Sequence, residues 1–133
     1  MPRRLAVLVL AAFAVAGCGT TSSAGDFSGA EQGVAEQVEA LQSAGESRDG
    51  EEACSRILSR ALREAMAAQG SGCANQVEEA MRDADDVELD VRDVTVQGDR
   101  ATARVRARFG GADRVRTLQL VREDGGWRID SLG

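Results

Sequence analysis

The sequence predicts an α+β fold with three N-terminal helices packed on a four-stranded antiparallel sheet. In the first two-thirds of the chain, apolar residues recur every three or four positions, which is typical of amphipathic helices. From residue 87 onwards they alternate with polar residues, which is typical of strands with one buried face. Short glycine-containing turns separate the alternating segments, so neighbouring strands should pair as hairpins and present one apolar face to the helices.

The chain begins with the features of a secretory leader. Two arginines precede an unbroken apolar run of 12 residues, which is too short to span a membrane. The run ends in Val15-Ala16-Gly17-Cys18, which resembles the lipobox of bacterial lipoproteins. The resemblance implies cleavage after Gly17 and a diacylglyceryl thioether on Cys18, which would anchor the protein to the extracytoplasmic face of the cell membrane. The alternative is an ordinary secretory signal with an incidental cysteine.

Three segments follow from this interpretation. Residues 1–17 are the predicted signal peptide, and residues 18–25 are the lipidated cysteine with a flexible tether that has no apolar side chain larger than alanine. Residues 26–133 have the length of one domain with its own core.

Three helices are predicted in the first part of that domain. Ser28 and Asp49 are each followed three residues later by glutamate, which is the spacing of a capping box and marks the start of a helix. The first helix should run to about residue 44. The second should end by residue 70, and the third should begin near residue 73 and end before the acidic stretch that closes at residue 86. The two could be antiparallel helices, or one long helix that bends near Ser59.

Two cysteines remain once Cys18 is assigned to the lipid. An even number of cysteines outside the cytoplasm favours one disulfide, between Cys54 and Cys73, which would join the starts of the second and third helices. The alternatives are two free buried thiols or a metal pair, and a chain without histidine makes a poor zinc site. We therefore predict no metal site and no cofactor.

Four strands are predicted in the last third of the chain. The first spans residues 87 to 96 and should contain a bulge near Arg92-Asp93, because the apolar step from 91 to 94 breaks the alternation. The second, residues 101 to 109, alternates most clearly. Residues 115 to 121 and 127 to 130 complete the meander.

This order of elements resembles the cone-shaped α+β superfamily named for nuclear transport factor 2 (NTF2), which is also described as cystatin-like. The resemblance covers most of residues 26–133. It rests on the Asp49-Gly50 start of the second helix, the helix that contains Cys54, the Gly98-Asp99-Arg100-Ala101 turn and the closing segment 120–129 with its acidic-glycine turn and Trp-x-Ile. It implies a curved sheet wrapped on a helix, in some members with a pocket at the wide end.

Small residues on the inward face of the second strand form the candidate ligand site. Ala101, Ala103 and Ala107 could leave room for a small apolar ligand, with Phe109 and Trp127 as the aromatic neighbours. The alternative is that large side chains fill this space, namely Met66, Met81, Phe109 and Trp127.

Arginines on the other face of that strand form a candidate partner patch. Arg104, Arg106 and Arg108 alternate with the inward residues, and we expect Arg116 and Arg128 beside them. Such a patch could meet anionic lipids, an acidic envelope protein or the acidic helices of a second copy in a homodimer. The alternative is a solvated face on which these arginines pair with acids across the strands.

The sequence predicts no catalytic residues. Enzymes of the resembled superfamily use a general base inside an apolar cone, but this chain has no histidine and no tyrosine, and its strand carboxylates alternate with core residues and should face outwards. Residues 26–99 carry 18 acids and 6 arginines, which argues against nucleic-acid binding. We therefore expect a lipid-anchored, non-catalytic domain that binds an envelope partner. Carriage of a small apolar ligand is the alternative, and an isomerase- or cyclase-like enzyme is a third.

Overall fold

The computed structural model describes residues 23–82, 87–109 and 111–133. The predicted signal peptide, Cys18 and the first residues of the tether lie outside these ranges, as does the side chain of Phe109. The predictions made for them therefore stay predictions. In the part of the chain that is described, no helix is both long enough and apolar enough to cross a bilayer.

The first helix, α1 (Gly29–Ser47), lies across the sheet. A 3₁₀ turn, Ser23–Asp26, precedes it and contacts both α1 and the first strand. Val34 and Val38 are fully buried on the face of α1 that meets the sheet, as the apolar spacing predicts. The predicted capping box is wrong, because the Ser28 side chain accepts no hydrogen bond from the helix. The apolar face, packed against the sheet, is thus what holds this helix in place.

The predicted second helix is broken into short pieces. It consists of α2 (Gly50–Glu52), one π-helical turn (Ala53–Ile57) and α3 (Arg60–Ala67), and α4 (Cys73–Arg82) follows. Here the Asp49 side chain does cap, accepting from the Glu52 amide at 3.0 Å. The break follows the bend predicted near Ser59, and it has a tertiary cause: the Ser59 amide donates to the carbonyl of Ile129 at 2.8 Å.

The Ser59 side chain fixes the chain on both sides of this break. Its hydroxyl donates to Asp130 Oδ1 at 2.6 Å and accepts from the Leu62 amide at 3.0 Å, so it caps α3 while it is tied to the last strand. Ser59 is fully buried, and these bonds satisfy its hydroxyl.

Two cysteines bring the π-helical turn and α4 together. The Sγ atoms of Cys54 and Cys73 lie 2.03 Å apart, which places the π-helical turn beside the start of α4. Gly50 permits the close approach of α2 to α4, because a Cβ at this position would lie 2.5 Å from the carbonyl oxygen of Ala74.

Four antiparallel strands form one curved sheet in the order β1-β2-β3-β4, as predicted. They are β1 (Val87–Gln97), β2 (Arg100–Phe109), β3 (Ala112–Glu123) and β4 (Gly126–Ser131). The register between β1 and β2 shifts between Val91 and Asp93, which is the predicted bulge. It lets Val91 and Val94, three residues apart, lie opposite Val105 and Ala103, two residues apart.

One end of the space between helices and sheet is filled. Trp127 packs on α1 at Gly33, where a Cβ would lie 3.2 Å from the indole Cδ1. The Arg122 guanidinium stands 4.5 Å from the centre of the Trp127 ring. Ala103, Leu120 and Ile129 complete this well-packed region and are almost fully buried.

Candidate ligand cavity

A cavity of about 380 Å³ lies at the end of the sheet remote from Trp127. It is enclosed by the C-terminal half of α1, by α3 and α4, and by the ends of the strands where β2 runs past Val105. The lining residues are Leu41, Gly45, Ala53, Leu58, Met66, Val77, Ala80, Met81, Val87, Leu89, Val105, Ala107, Arg116, Leu118, Leu132 and Gly133.

The wall of this cavity is apolar. Of its described lining residues, Arg116 alone has a charged or hydrogen-bonding side chain. Small residues make the space: Gly45 stands on the helix side and Ala107 on the sheet side, where larger side chains would meet. Leu132 belongs to the wall and is 44% exposed, so apolar surface continues to the mouth.

Arg116 reaches the cavity because of the register of β3. It lies directly opposite Val105, and two residues along from it Leu118 lies opposite Ala103. Residues at alternate positions share a face, so Arg116 stands on the same face as the buried Leu118 and Leu120. Its side chain is exposed, which places it where the wall meets solvent.

The candidate ligand residues are divided between the two ends of the sheet. Ala107 lines the cavity, whereas Ala103 is fully buried away from it and Trp127 fills the opposite end. Ala101 borders a separate, more polar depression of about 290 Å³. The predicted site is therefore corrected from the whole length of β2 to its distal end, because α1 approaches closely enough near Trp127 to leave no space there.

The methionines expected to fill the interior have a different role. Met66 and Met81 are only partly buried, and both belong to the wall of the cavity. Their flexible thioether side chains can adjust the shape of this wall.

The arginines of the candidate partner patch are paired with acids. Arg104 Nη1 lies 3.5 Å from Asp93 Oδ2, and Arg106 forms an ion pair with Asp113. Arg108 lies 3.0 Å from Asp113 and 3.9 Å from Glu88. This is the solvated, cross-strand pairing that was the alternative interpretation of these arginines.

Two further arginines do not join this patch. Arg116 stands on the opposite face of the sheet, and Arg128 donates from Nη1 to the carbonyl of Ser55 at 3.0 Å. The place of Arg116 in the cavity wall was not predicted from the sequence. Counting by twos from Leu118 and Leu120, which were predicted to face inwards, would have placed it there.

Asp113 is the acid most strongly influenced by this network. A hydrogen bond from Arg106, and then one from Arg108, holds the pKa of the Asp113 carboxyl below its ordinary value of 3.8. The carboxyl is on the outer face of the sheet, away from the cavity, so this lowered pKa belongs to the ion-pair network and not to a reactive site.

The described residues bring together no cluster of three or more cysteine or carboxylate groups that could hold a metal ion. The described side chains that line the cavity likewise include no carboxylate. What the arrangement can do chemically is to surround an apolar group and to present one cation at its edge.

Comparisons with known proteins concern both the chain and its fold. A family model described as "Putative lumazine-binding" matches residues 30–131. A solved structure titled "Rd1NTF2_05_I64F_A80G_T94P_D101K_L106W" is 13% identical to this chain in sequence and superposes on it with a TM-score of 0.56. The alignment covers 73% of this chain and 91% of the solved chain. The "De novo designed NTF2 fold protein NT-9" is 17% identical, with coverages of 76% and 81% and a TM-score of 0.44. The search of curated proteins found no match.

Proposed function

The chain belongs to the family described as putative lumazine-binding, and from this membership and the cavity we propose that its domain binds a small, mainly apolar ligand between α4 and the sheet. The proposal concerns residues 30–131, which the family model covers, and the NTF2-like fold that they form.

The observation that carries the proposal is the cavity itself. Its volume of about 380 Å³ lies within the range of roughly 300–1,000 Å³ that is usual for small-molecule sites. Water in a space with so few polar partners gains little, so its displacement by an apolar group is favourable. The apolar surface at Leu132 extends this wall to the mouth and gives a ligand a way in.

Lumazine, the compound in the family's description, is a poor match for this particular wall. It carries several carbonyl and N–H groups, and each of these costs free energy if it is buried without a partner. The lining side chains offer one donor, Arg116, and no acceptor. We therefore propose a more apolar ligand than lumazine, and lumazine serves as a comparison in the test.

The same cavity favours ligand binding over the envelope-partner role preferred from the sequence. That preference depended on a filled interior, and the outer arginines that would have met a partner are occupied by Asp93, Asp113 and Glu88. We propose a binding module and not an enzyme, since no described side chain that lines the cavity is a carboxylate, histidine, lysine, tyrosine or cysteine that could act as a general acid or base.

The proposed location of the domain follows from the leader sequence. We propose that Cys18 carries a lipid and that the domain is displayed outside the cell membrane on a short tether. A ligand-binding domain held there would meet apolar molecules that partition into the bilayer.

A pair of alanines tests the cavity. Ala80 is exposed at its mouth, so Ala80→Phe should cover the opening without overfilling the core. We expect the folded wild-type domain to bind decanol, a neutral apolar probe, with one-to-one stoichiometry in calorimetry, and Ala80→Phe to bind it at least about tenfold more weakly.

Ala65→Phe is the matched control, because Ala65 is exposed on the neighbouring helix α3 and does not line the cavity. It should bind decanol as the wild type does. Tighter binding of lumazine than of decanol, or equal binding of decanol by both variants and the wild type, would contradict the proposal.

A further inference from the structure

Arg116 gives the cavity a preference among apolar ligands. We infer that the ligand is an anionic amphiphile whose carboxylate is bound by the Arg116 guanidinium while its apolar part occupies the cavity. This inference rests on the proposed function and specifies the chemical class of the ligand.

The first support is the position of Arg116. The strand register places its Cβ on the cavity side, opposite Val105 and next but one to Leu118. Its aliphatic stem can therefore run along apolar wall while the guanidinium stays at the exposed mouth. A ligand whose tail enters the cavity would leave its head group beside this cation.

The second support is the charge of Arg116, which no described acid neutralises. Five of the described arginines lie within 4.0 Å of a carboxylate, namely Arg92, Arg104, Arg106, Arg108 and Arg122. Arg116 forms no ion pair or hydrogen bond of its side chain with any residue in the described ranges. The fork of the guanidinium is thus available for a planar carboxylate, which it can bind through two parallel hydrogen bonds.

The number of cations favours a carboxylate over a phosphate monoester. One lining arginine balances one negative charge, whereas a phosphate monoester carries close to two at neutral pH. The chain as a whole has a net charge of -6, so its long-range field repels anions. A preference for an anionic ligand must therefore come from a local contact.

Two probes of equal length separate the head group from the tail. Decanoate and decanol each have ten carbons, and only decanoate carries a charge at pH 7. We expect Arg116→Gln to bind decanoate about tenfold more weakly than the wild type and to bind decanol equally well. In the wild type, the affinity for decanoate should fall as salt is added, while that for decanol should not.

Arg104→Gln is the matched control. It removes the same charge from the other face of the sheet, where Arg104 is well exposed. It should leave the affinity for decanoate unchanged, which excludes a general effect of net charge.

The possible results distinguish this inference from the proposed function. If decanol binds and Arg116→Gln leaves the affinity for decanoate unchanged, or if Arg104→Gln weakens it as much, the inference is overturned and the apolar site stands. If neither probe binds the wild-type protein, the proposed function fails and the inference fails with it. Selective loss of decanoate binding in Arg116→Gln supports both.

Discussion

Charged residues of β3 have different surroundings according to the face on which they lie. Asp113 is on the outer face, opposite Arg108, and accepts hydrogen bonds from two arginines. Arg116, three residues further on, is on the inner face and lines the cavity. The period of two along the strand therefore separates a structural ion-pair network from a candidate ligand contact.

The pKa of Asp113 is a direct test of the outer network. Because Arg106 and Arg108 stabilise the carboxylate, the pKa in the folded protein should lie below 3.8, the ordinary value. Ionised Asp113 therefore stabilises the folded protein above pH 3.8. This contribution is lost as the pH falls through the lowered pKa of the folded state. Carboxyl NMR titration should show this low midpoint in the wild type and a higher one in Arg106→Gln.

Arg116→Gln serves as the control in that titration, since Arg116 lies on the other face of the sheet. An Asp113 midpoint at or above 3.8 in the wild type, or the same midpoint in Arg106→Gln, would show that the pairing is absent in solution.

The helices differ in what stabilises them. α1 is long and buries a continuous apolar face, whereas α3 and α4 are short and each buries little. Helices of eight to ten residues are marginal by themselves, so α3 and α4 depend on their ties to other elements. Ser59 ties α3 to β4, and the Cys54–Cys73 pair ties α4 to the π-helical turn.

The predicted Cys54–Cys73 disulfide can be tested through its effect on stability. The two cysteines are 19 residues apart in sequence, and closing such a loop in the unfolded chain should stabilise the domain by about 3 kcal/mol. Chemical denaturation of the double variant Cys54→Ser, Cys73→Ser should show that loss relative to the oxidised wild type. Because α4 supplies Val77, Ala80 and Met81 to the cavity, decanol binding should also weaken.

The reduced wild type is the control and should behave as the double variant does. Two titratable thiols in the denatured wild type without reductant, beyond any at Cys18, would contradict the disulfide.

The whole molecule is filled at one end and open at the other. Trp127 closes the space beneath α1 near the β3–β4 turn, while the described residues that line the cavity at the other end include no aromatic side chain. A fold in which a curved sheet diverges from the helices that cover it leaves such a space unless large side chains fill it. Here the residues that face it include glycine and alanine, so it stays open.

The anchoring of the whole molecule is tested at Cys18. We expect Cys18→Ser to abolish lipid attachment and to leave the leader uncleaved by a lipoprotein-specific peptidase, because the thiol is the group that takes the lipid. Membrane fractionation with intact mass spectrometry of a bacterial expression host measures both. Ser22→Ala, outside the predicted lipobox, should remain in the membrane fraction with a lipid mass, and equal fractionation of the two variants would contradict the anchor.

Much of the fold could be read from local patterns. All four strands and their order were predicted from the change of period near residue 87, the bulge at Arg92-Asp93 and the glycine turns. This was possible because the direction of a side chain in a strand depends only on its position along the strand. The break at Ser59 was only one of two alternatives, because it depends on a carbonyl that lies 70 residues further along the chain, at Ile129.

The candidate site was predicted less well, for a physical reason. Alternation places Ala101, Ala103 and Ala107 on one face, but the distance from that face to the covering helices decides which of them borders a space. Distances between elements depend on how remote side chains such as Trp127 pack, and no local pattern encodes them. The amino-acid order therefore determines the elements, the turns and the face of each residue. Tertiary packing decides where the interior stays empty and which arginine meets that space.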